Sequence, residues 1–132
     1  MAMEMEMEIR PALTVIGDEE LLTFDLTKAP PGTVVAIDQV LFEELREPWE
    51  RGERVGQAHG TAVVTHTGVA VCNITFVFGD EDTIVAHGVL PIAGSTVGSG
   101  RLAVGGGTGR FNRATGRLDV EARNPKRWSF YI

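Results

Sequence analysis

Two polar side chains sit where strand alternation surrounds them with apolar neighbours. Gln39 lies between Ile37 and Leu41, and Asp25 lies between Phe24 and Leu26 on the less apolar face of its own segment. An amide or a protonated carboxyl in an apolar, water-excluding cavity can donate a hydrogen bond to a ligand carbonyl, where its dipole acts strongly. Gln39 also reads as an ordinary satisfied core amide, and Asp25 as an outward carboxylate. Both readings stand at the level of local pattern.

Other chemistry finds little support. Ser, His and Asp are present, yet no nucleophile motif frames any serine. By strand parity His59 and His87 share the outward class and His66 falls at a turn, so no clustered metal-ligand set forms and no metal or other cofactor is expected. Cys72 shares an apolar face with Ile74 and Phe76, the setting of an inert packed thiol. The glycine cluster Gly105–Gly109 has neither the last glycine of a dinucleotide fingerprint nor the Gly-Lys-Ser/Thr of a Walker loop, and a strand pattern follows it. It reads as a structural corner.

The chain has 132 residues, enough for one domain with a sizeable core or a small barrel. Its net charge of −6 gives no electrostatic basis for binding nucleic acid or anionic membrane. A single cysteine excludes an internal disulfide, and no apolar run reaches membrane-spanning length. A soluble, cytoplasmic protein is expected.

The elements that would carry these residues are strands. Residues 1–12 alternate Met3, Met5, Met7 and Ile9 against Glu4, Glu6, Glu8 and Arg10, an amphipathic arm that reads as a flap or a frayed tail. Residues 13–132 form one domain. Leu21–Thr27 reads as a strand and Lys28–Gly32 as a rigid loop. Thr33–Leu45 reads as a long strand apolar on both faces, with Val35, Ile37, Gln39 and Leu41 on one of them. An apolar exterior on that strand implies a subunit contact, hence a homo-oligomer, dimer or trimer. Glu43–Arg54 reads as a charged loop. Beyond it, Gly56, Ala58, Gly60, Ala62 and Val64 line one face, a thin wall that leaves space inside. Cys72, Ile74, Phe76 and Phe78 follow on the next strand, then an acidic turn at Gly79–Asp82 and a strand to Leu90. Pro91–Gly100 reads as a loop. Leu102–Val104 enters the glycine corner, and Gly116, Leu118 and Val120 alternate with Arg117, Asp119 and Glu121. Trp128–Ile132 supplies a final strand. About eight short strands with hairpin spacing predict an all-β, eight-stranded antiparallel barrel around an apolar cavity.

Three motifs in order carry a family resemblance. Gly106-Gly107-Thr108-Gly109-Arg110-Phe111 with Ala114-Thr115-Gly116, Val55-Gly56-Gln57-Ala58-His59-Gly60, and Thr75-Phe76-Val77-Phe78-Gly79-Asp80 followed by Ile84–Gly88 resemble signatures of the allene oxide cyclase and dirigent protein superfamily. The resemblance runs from about Leu21 to Ile132. It implies the same barrel, often oligomeric. In plant-type allene oxide cyclases the first strand carries an inward Glu followed by Asn and the long strand an inward Asn, which with a bound water hold the epoxide oxygen. The matching positions here are Asp25, Thr27 and Gln39. The family's inward cysteine matches Ala62, the tyrosine after its hairpin matches Leu90, and its Ser-Pro water clamp has no counterpart.

In size and in its possible N-terminal flap the chain resembles bacterial natural-product cyclases of this superfamily, which implies a cofactor-independent cyclase of isomerase or lyase type. Its substrate would be a flexible, polyketide-like or oxylipin-like polyene, and its reaction extends to formal [4+2], Diels–Alder type spiro-ring formation. Gln39 and Asp25 would anchor the substrate polar group. Val35, Ile37, Leu41, Ala62, Phe76, Phe78, Leu90 and Leu118 would mould its apolar body. The alternatives are a dirigent-like protein that imposes stereochemistry on a reaction driven elsewhere, and a non-catalytic carrier of a lipophilic ligand.

Overall fold

The computed structural model describes residues 10–18, 25–122 and 126–132. The Met/Glu arm up to Ile9 and the stretch Leu21–Phe24 lie outside the described residues. Strands β1 (Leu13–Asp18), β2 (Val34–Glu44), β3 (Arg51–Val64), β4 (Val69–Val77), β5 (Thr83–Ala93), β6 (Thr96–Val97), β7 (Gly100–Thr108), β8 (Gly116–Glu121) and β9 (Lys126–Tyr131) follow in chain order. Their hydrogen-bonded order is β4-β3-β2-β1-β9-β8-β7-β5, and a further β4–β5 pairing joins the ends. Eight antiparallel strands therefore close a barrel, with β6 a two-residue spur on β5. Closure leaves no long sheet edge in the ring.

Alternation decides which side chains enter the bore. On β2, Ile37, Gln39 and Leu41 are buried while Val34, Ala36 and Asp38 are exposed. On β4, Ala70, Cys72, Ile74 and Phe76 are buried, and on β8 Leu118 and Val120. The inward set of β9 is Lys126, Trp128 and Phe130. These faces meet in one core around Phe76, Trp128 and Phe130.

Several elements differ from the sequence reading. The segment expected to be a strand through Thr27 is, in its described part, a single 3-10 turn at Leu26–Lys28. Asp25 caps that turn with its side chain, which a strand would not permit. The charged loop is only 45–50, because β2 continues to Glu44 and β3 already begins at Arg51. Glu43, Glu44, Arg51, Glu53 and Arg54 are strand residues, while Arg46, Glu47 and Glu50 remain in the loop. Pro91–Gly100 is not a plain loop either: β5 extends to Ala93 and turns back on itself as β6.

The glycine cluster is strand rather than corner. β7 runs through Gly105, Gly106 and Gly107, and the chain turns afterwards at Gly109–Phe111. A register shift between Val85 and Ala86 places Gly106 opposite Val85 and Val104 opposite Ala86, which leaves Gly105 as the extra residue. Gly106 has φ +140°, which few L side chains adopt. The cluster is a bulge that bends the barrel wall.

Gly60 has a different reason to be small. A Cβ there would collide with the Asn73 carbonyl oxygen and lie 2.8 Å from Ile74 Cα. Gly56 would strike the Val77 carbonyl in the same way. These glycines let β3 and β4 approach closely at a tight bend, so they record strand crowding rather than free space in the bore.

Candidate ligand-binding site

The polar centre of the bore is a hydrogen bond between two strands that flank β1. Trp128 Nε1 on β9 donates to Gln39 Oε1 on β2 at 2.9 Å, and both residues are buried. Between them β1 contributes Gly17, where a Cβ would overlap Gln39 Oε1 and lie 2.6 Å from Trp128 Nε1. The bond crosses directly over a residue with no side chain. An amide fixed in this way has a set orientation, unlike a free surface glutamine.

Aromatic rings lead from that amide to one end of the barrel. Trp128 packs edge-on against Phe76 with centroids 5.2 Å apart, and Phe76 meets Phe130 at 4.9 Å. Phe130 meets Phe78 at 6.1 Å, and Phe78 meets Phe111 at 5.7 Å. The first three pairs are edge-to-face, an arrangement favoured by the ring quadrupoles, and the Phe78–Phe111 pair is tilted. Phe78 is half-buried and opens into a surface groove of about 390 Å³ lined by Arg54, Val55, Gly56, Gln57, Val77, Phe78, Gly79 and Asp80. The groove lies where β4 has ended while β3 continues beside it. A column of packed rings therefore runs from the open groove to the buried Gln39–Trp128 pair.

The remaining expected site residues separate into groups. Ile37, Leu41, Ala62, Phe76, Leu90 and Leu118 are buried in the core, and Val35 and Phe78 are half-buried beside it. Asp25 is not beside Gln39. It is exposed, it accepts hydrogen bonds from the Thr27 hydroxyl at 2.6 Å and the Thr27 N–H at 2.9 Å, and it borders an outer groove with Lys28, Pro30 and Thr33. The Thr27 hydroxyl, then its N–H, holds the Asp25 carboxyl below the usual carboxylate range. Ionised at neutral pH, Asp25 accepts hydrogen bonds and has no proton to donate.

Cys72 is fully buried, and burial pushes its thiol up to about 11 against the opposing pull of Lys126. It is no nucleophile at neutral pH. His59 faces outward between Asp38, 3.1 Å from Nδ1, and Gln57, 2.8 Å from Nε2. Among the described residues, no group of three or more His, Cys, Asp or Glu side chains could hold a metal ion.

The sequence matches the family described as Dirigent-like protein over residues 7–127. This chain belongs to the dirigent-like protein family. Among solved structures, one described as pyocyanin demethylase is similar to this dirigent-like barrel. Its TM-score is 0.64 and its identity 20%, covering 88% of this chain and 94% of that one, a likeness of fold. A search of curated proteins finds no match. No helix among the described residues is long and apolar enough to cross a membrane.

Sequence reasoning missed two residues of this dirigent-like barrel. Trp128 was legible as part of a final strand, and its alternation with Phe130 was the available signal that both point inward. Lys126 gave no signal, since a lysine beginning a strand is ordinarily solvated. It is nevertheless 1% exposed, with its Nζ donating to Thr96 Oγ1 of β6. That contact ties the β5–β6 spur over the end of the barrel opposite the groove.

Proposed function

We propose that this dirigent-like barrel is a cofactor-independent cyclase that takes a small, flexible, apolar polyene at the Val55–Phe78 mouth and steers its stereoselective ring closure. Formal [4+2] spiro-ring formation fits this reading. The observation that carries it is the aromatic column leading from an open groove to one fixed, buried amide.

Cyclisation of a polyene needs little acid–base machinery. Its barrier falls chiefly when one folded conformer is held in place of many, an advantage of up to about 7–11 kcal/mol in well-aligned intramolecular reactions. Phe78 at the mouth supplies a rigid apolar wall for the chain, and the Gln39–Trp128 pair fixes one polar point in the apolar interior behind it. Asp25, ionised and outside the bore, is assigned no part in the bond-forming step. The similar barrel described as pyocyanin demethylase bears an enzyme's name, in keeping with catalysis rather than storage.

Family membership favours one second reading, a dirigent-like protein that imposes stereochemistry on an intermediate generated elsewhere. The two part in a direct assay. Purified protein is incubated with a linear polyene bearing a terminal carbonyl, and the products are resolved by chiral chromatography. The cyclase reading expects enantioenriched ring product from protein and substrate alone. Product chirality that arises only with an added one-electron oxidant would replace it with the dirigent reading. Val55→Trp, which adds bulk at the mouth where Val55 packs against the edge of the core, is expected to lower turnover at least tenfold where circular dichroism shows the barrel retained. Ala62→Phe is expected to abolish turnover where circular dichroism shows the barrel retained. Full activity in both variants would overturn the proposal.

A further inference from the structure

A basic hollow lies beside the mouth. Between Arg101 and Asp119 the sequence carries Arg110, Arg113 and Arg117 and no acid, on a chain whose net charge is −6. The turn after β7 gathers the first two around a hollow of about 270 Å³, lined by Arg110, Phe111, Asn112, Arg113, Thr115 and Ile132 among others. A pair of rings separates it from the groove. Phe111 lines the hollow, Phe78 lines the groove, and their centroids are 5.7 Å apart.

The hollow is braced from behind and open in front. Asp82 accepts a hydrogen bond from the Arg110 backbone N–H at 3.0 Å and pairs with its Nε at 3.5 Å. The Arg110 guanidinium also lies over the Phe111 ring, 4.6 Å from the centroid. The Thr108 hydroxyl donates to the Glu81 carbonyl and ties the same turn to the one before β5. Against that, the terminal nitrogens of Arg110, the Arg113 guanidinium, the Asn112 side-chain amide and the Thr115 hydroxyl make no hydrogen bond or ion pair among the described residues. Four groups able to donate therefore border one concavity, and one of them is already fixed in place.

We propose that this hollow is a subsite for a singly charged oxyanion, a carboxylate or a phosphodiester, borne by the ligand whose apolar body enters the adjacent mouth. Charge sets the valence of the occupant: two guanidinium groups, with the Asp82 carboxylate against one of them, leave a single positive charge. A guanidinium offers paired N–H donors that match two oxygens of either anion. The groove has no such excess, since Arg54 and Asp80 both line it. The substrate is then amphiphilic, its apolar chain lying over Phe78 and its anionic tail held outside by Arg110 and Arg113. The inference rests on the proposed mouth for the apolar body, but the anion subsite can be measured without it.

The test is amide chemical-shift mapping of the full, isotope-labelled chain with octanoate, dibutyl phosphate and octanol at low ionic strength. At least one of the two anions is expected to shift the amides of residues 109–115, and octanol to leave them in place. Whichever anion responds identifies the oxyanion. Arg113→Ala, at an exposed side chain with no partner to lose, is expected to keep the fold and weaken that anion about fivefold. Arg101→Ala, elsewhere on β7, is expected to leave it unchanged. Silence of residues 109–115 toward both anions overturns the proposal, as does an affinity unaltered in Arg113→Ala or an equal loss in Arg101→Ala. The mouth is judged separately, because octanol is expected to shift residues 55–57 and 78–80. Anion shifts at 109–115 without any octanol response there would remove the mouth and retain the anion subsite.

Discussion

Gln39 and Trp128 are matched so closely that their roles separate by mutation. Gln39→Leu removes the amide and strands the Trp128 N–H in the core, an expected stability cost of about 1–3 kcal/mol by thermal unfolding. Trp128→Phe breaks the same hydrogen bond but keeps the amide and most of the ring packing. If the amide orients a substrate carbonyl, Gln39→Leu lowers kcat/KM at least tenfold more than Trp128→Phe does. Equal losses from the two would make the pair a structural brace only. Parity placed Gln39 in the bore because its neighbours Ile37 and Leu41 share one face. Nothing in the alternation named its partner, since Trp128 lies 89 positions away and only ring closure brings β9 and β2 to either side of β1. Asp25 misled because Phe24 and Leu26 imitate strand alternation, while an Asp two residues before a Thr also makes a local cap. The short-range hydrogen bond prevailed.

At the scale of the strand, glycines carry more information than their composition suggests. Gly60→Ala adds one methyl group against the Asn73 carbonyl, and neither backbone can retreat without disturbing the β3–β4 ladder. Overpacking of this kind costs about 1–3 kcal/mol, and the Tm is expected to fall by roughly 5 °C or more. Ala58→Gly, on the same face two residues earlier, is expected to cost less because it introduces no collision. Differential scanning calorimetry of the two variants checks the order. Element identity was largely legible: β2, β4 and β8 fall almost where their alternation places them. The bulged passage of β7 through Gly105–Gly107 was not, because a run of glycines carries no side-chain period to distinguish a strand from a turn. The long β2–β3 hairpin was obscured likewise, because its charged end is irregular in register and carries no clean alternation.

Across the whole molecule, the seam beside β1 is fastened from outside. Arg127 on β9 reaches over β1 to Glu44 on β2 through two hydrogen bonds, 2.6 and 2.7 Å, and holds Glu121 on β8 as well. Beneath it Ile16 is fully buried although its register points it outward. Burial alone would raise the Glu44 carboxyl, but the hydrogen bonds from Arg127 and from the Trp49 N–H outweigh it and leave Glu44 below its ordinary value of 4.5. A carboxylate depressed in the fold contributes stability that is complete above its unfolded value and lost as pH falls through the folded one. Denaturant midpoints are therefore expected to hold through neutral pH and to decline below about pH 4.5. Glu44→Gln is expected to flatten that acid slope while lowering stability near neutrality. A wild-type slope left unchanged by the substitution would remove Glu44 from the account.

The same seam sets the order of events during synthesis. β1 finds one neighbour, β2, early, but its other neighbour is β9, and β9 also completes the pairing of β8. Until the ribosome has made Lys126–Tyr131, the nascent chain is a curled ribbon with two raw borders and no Trp128 or Phe130 to fill its middle. Such a ribbon invites its neighbours to add strands. Closure of the wall and placement of Trp128 and Phe130 in the interior therefore both wait on β9.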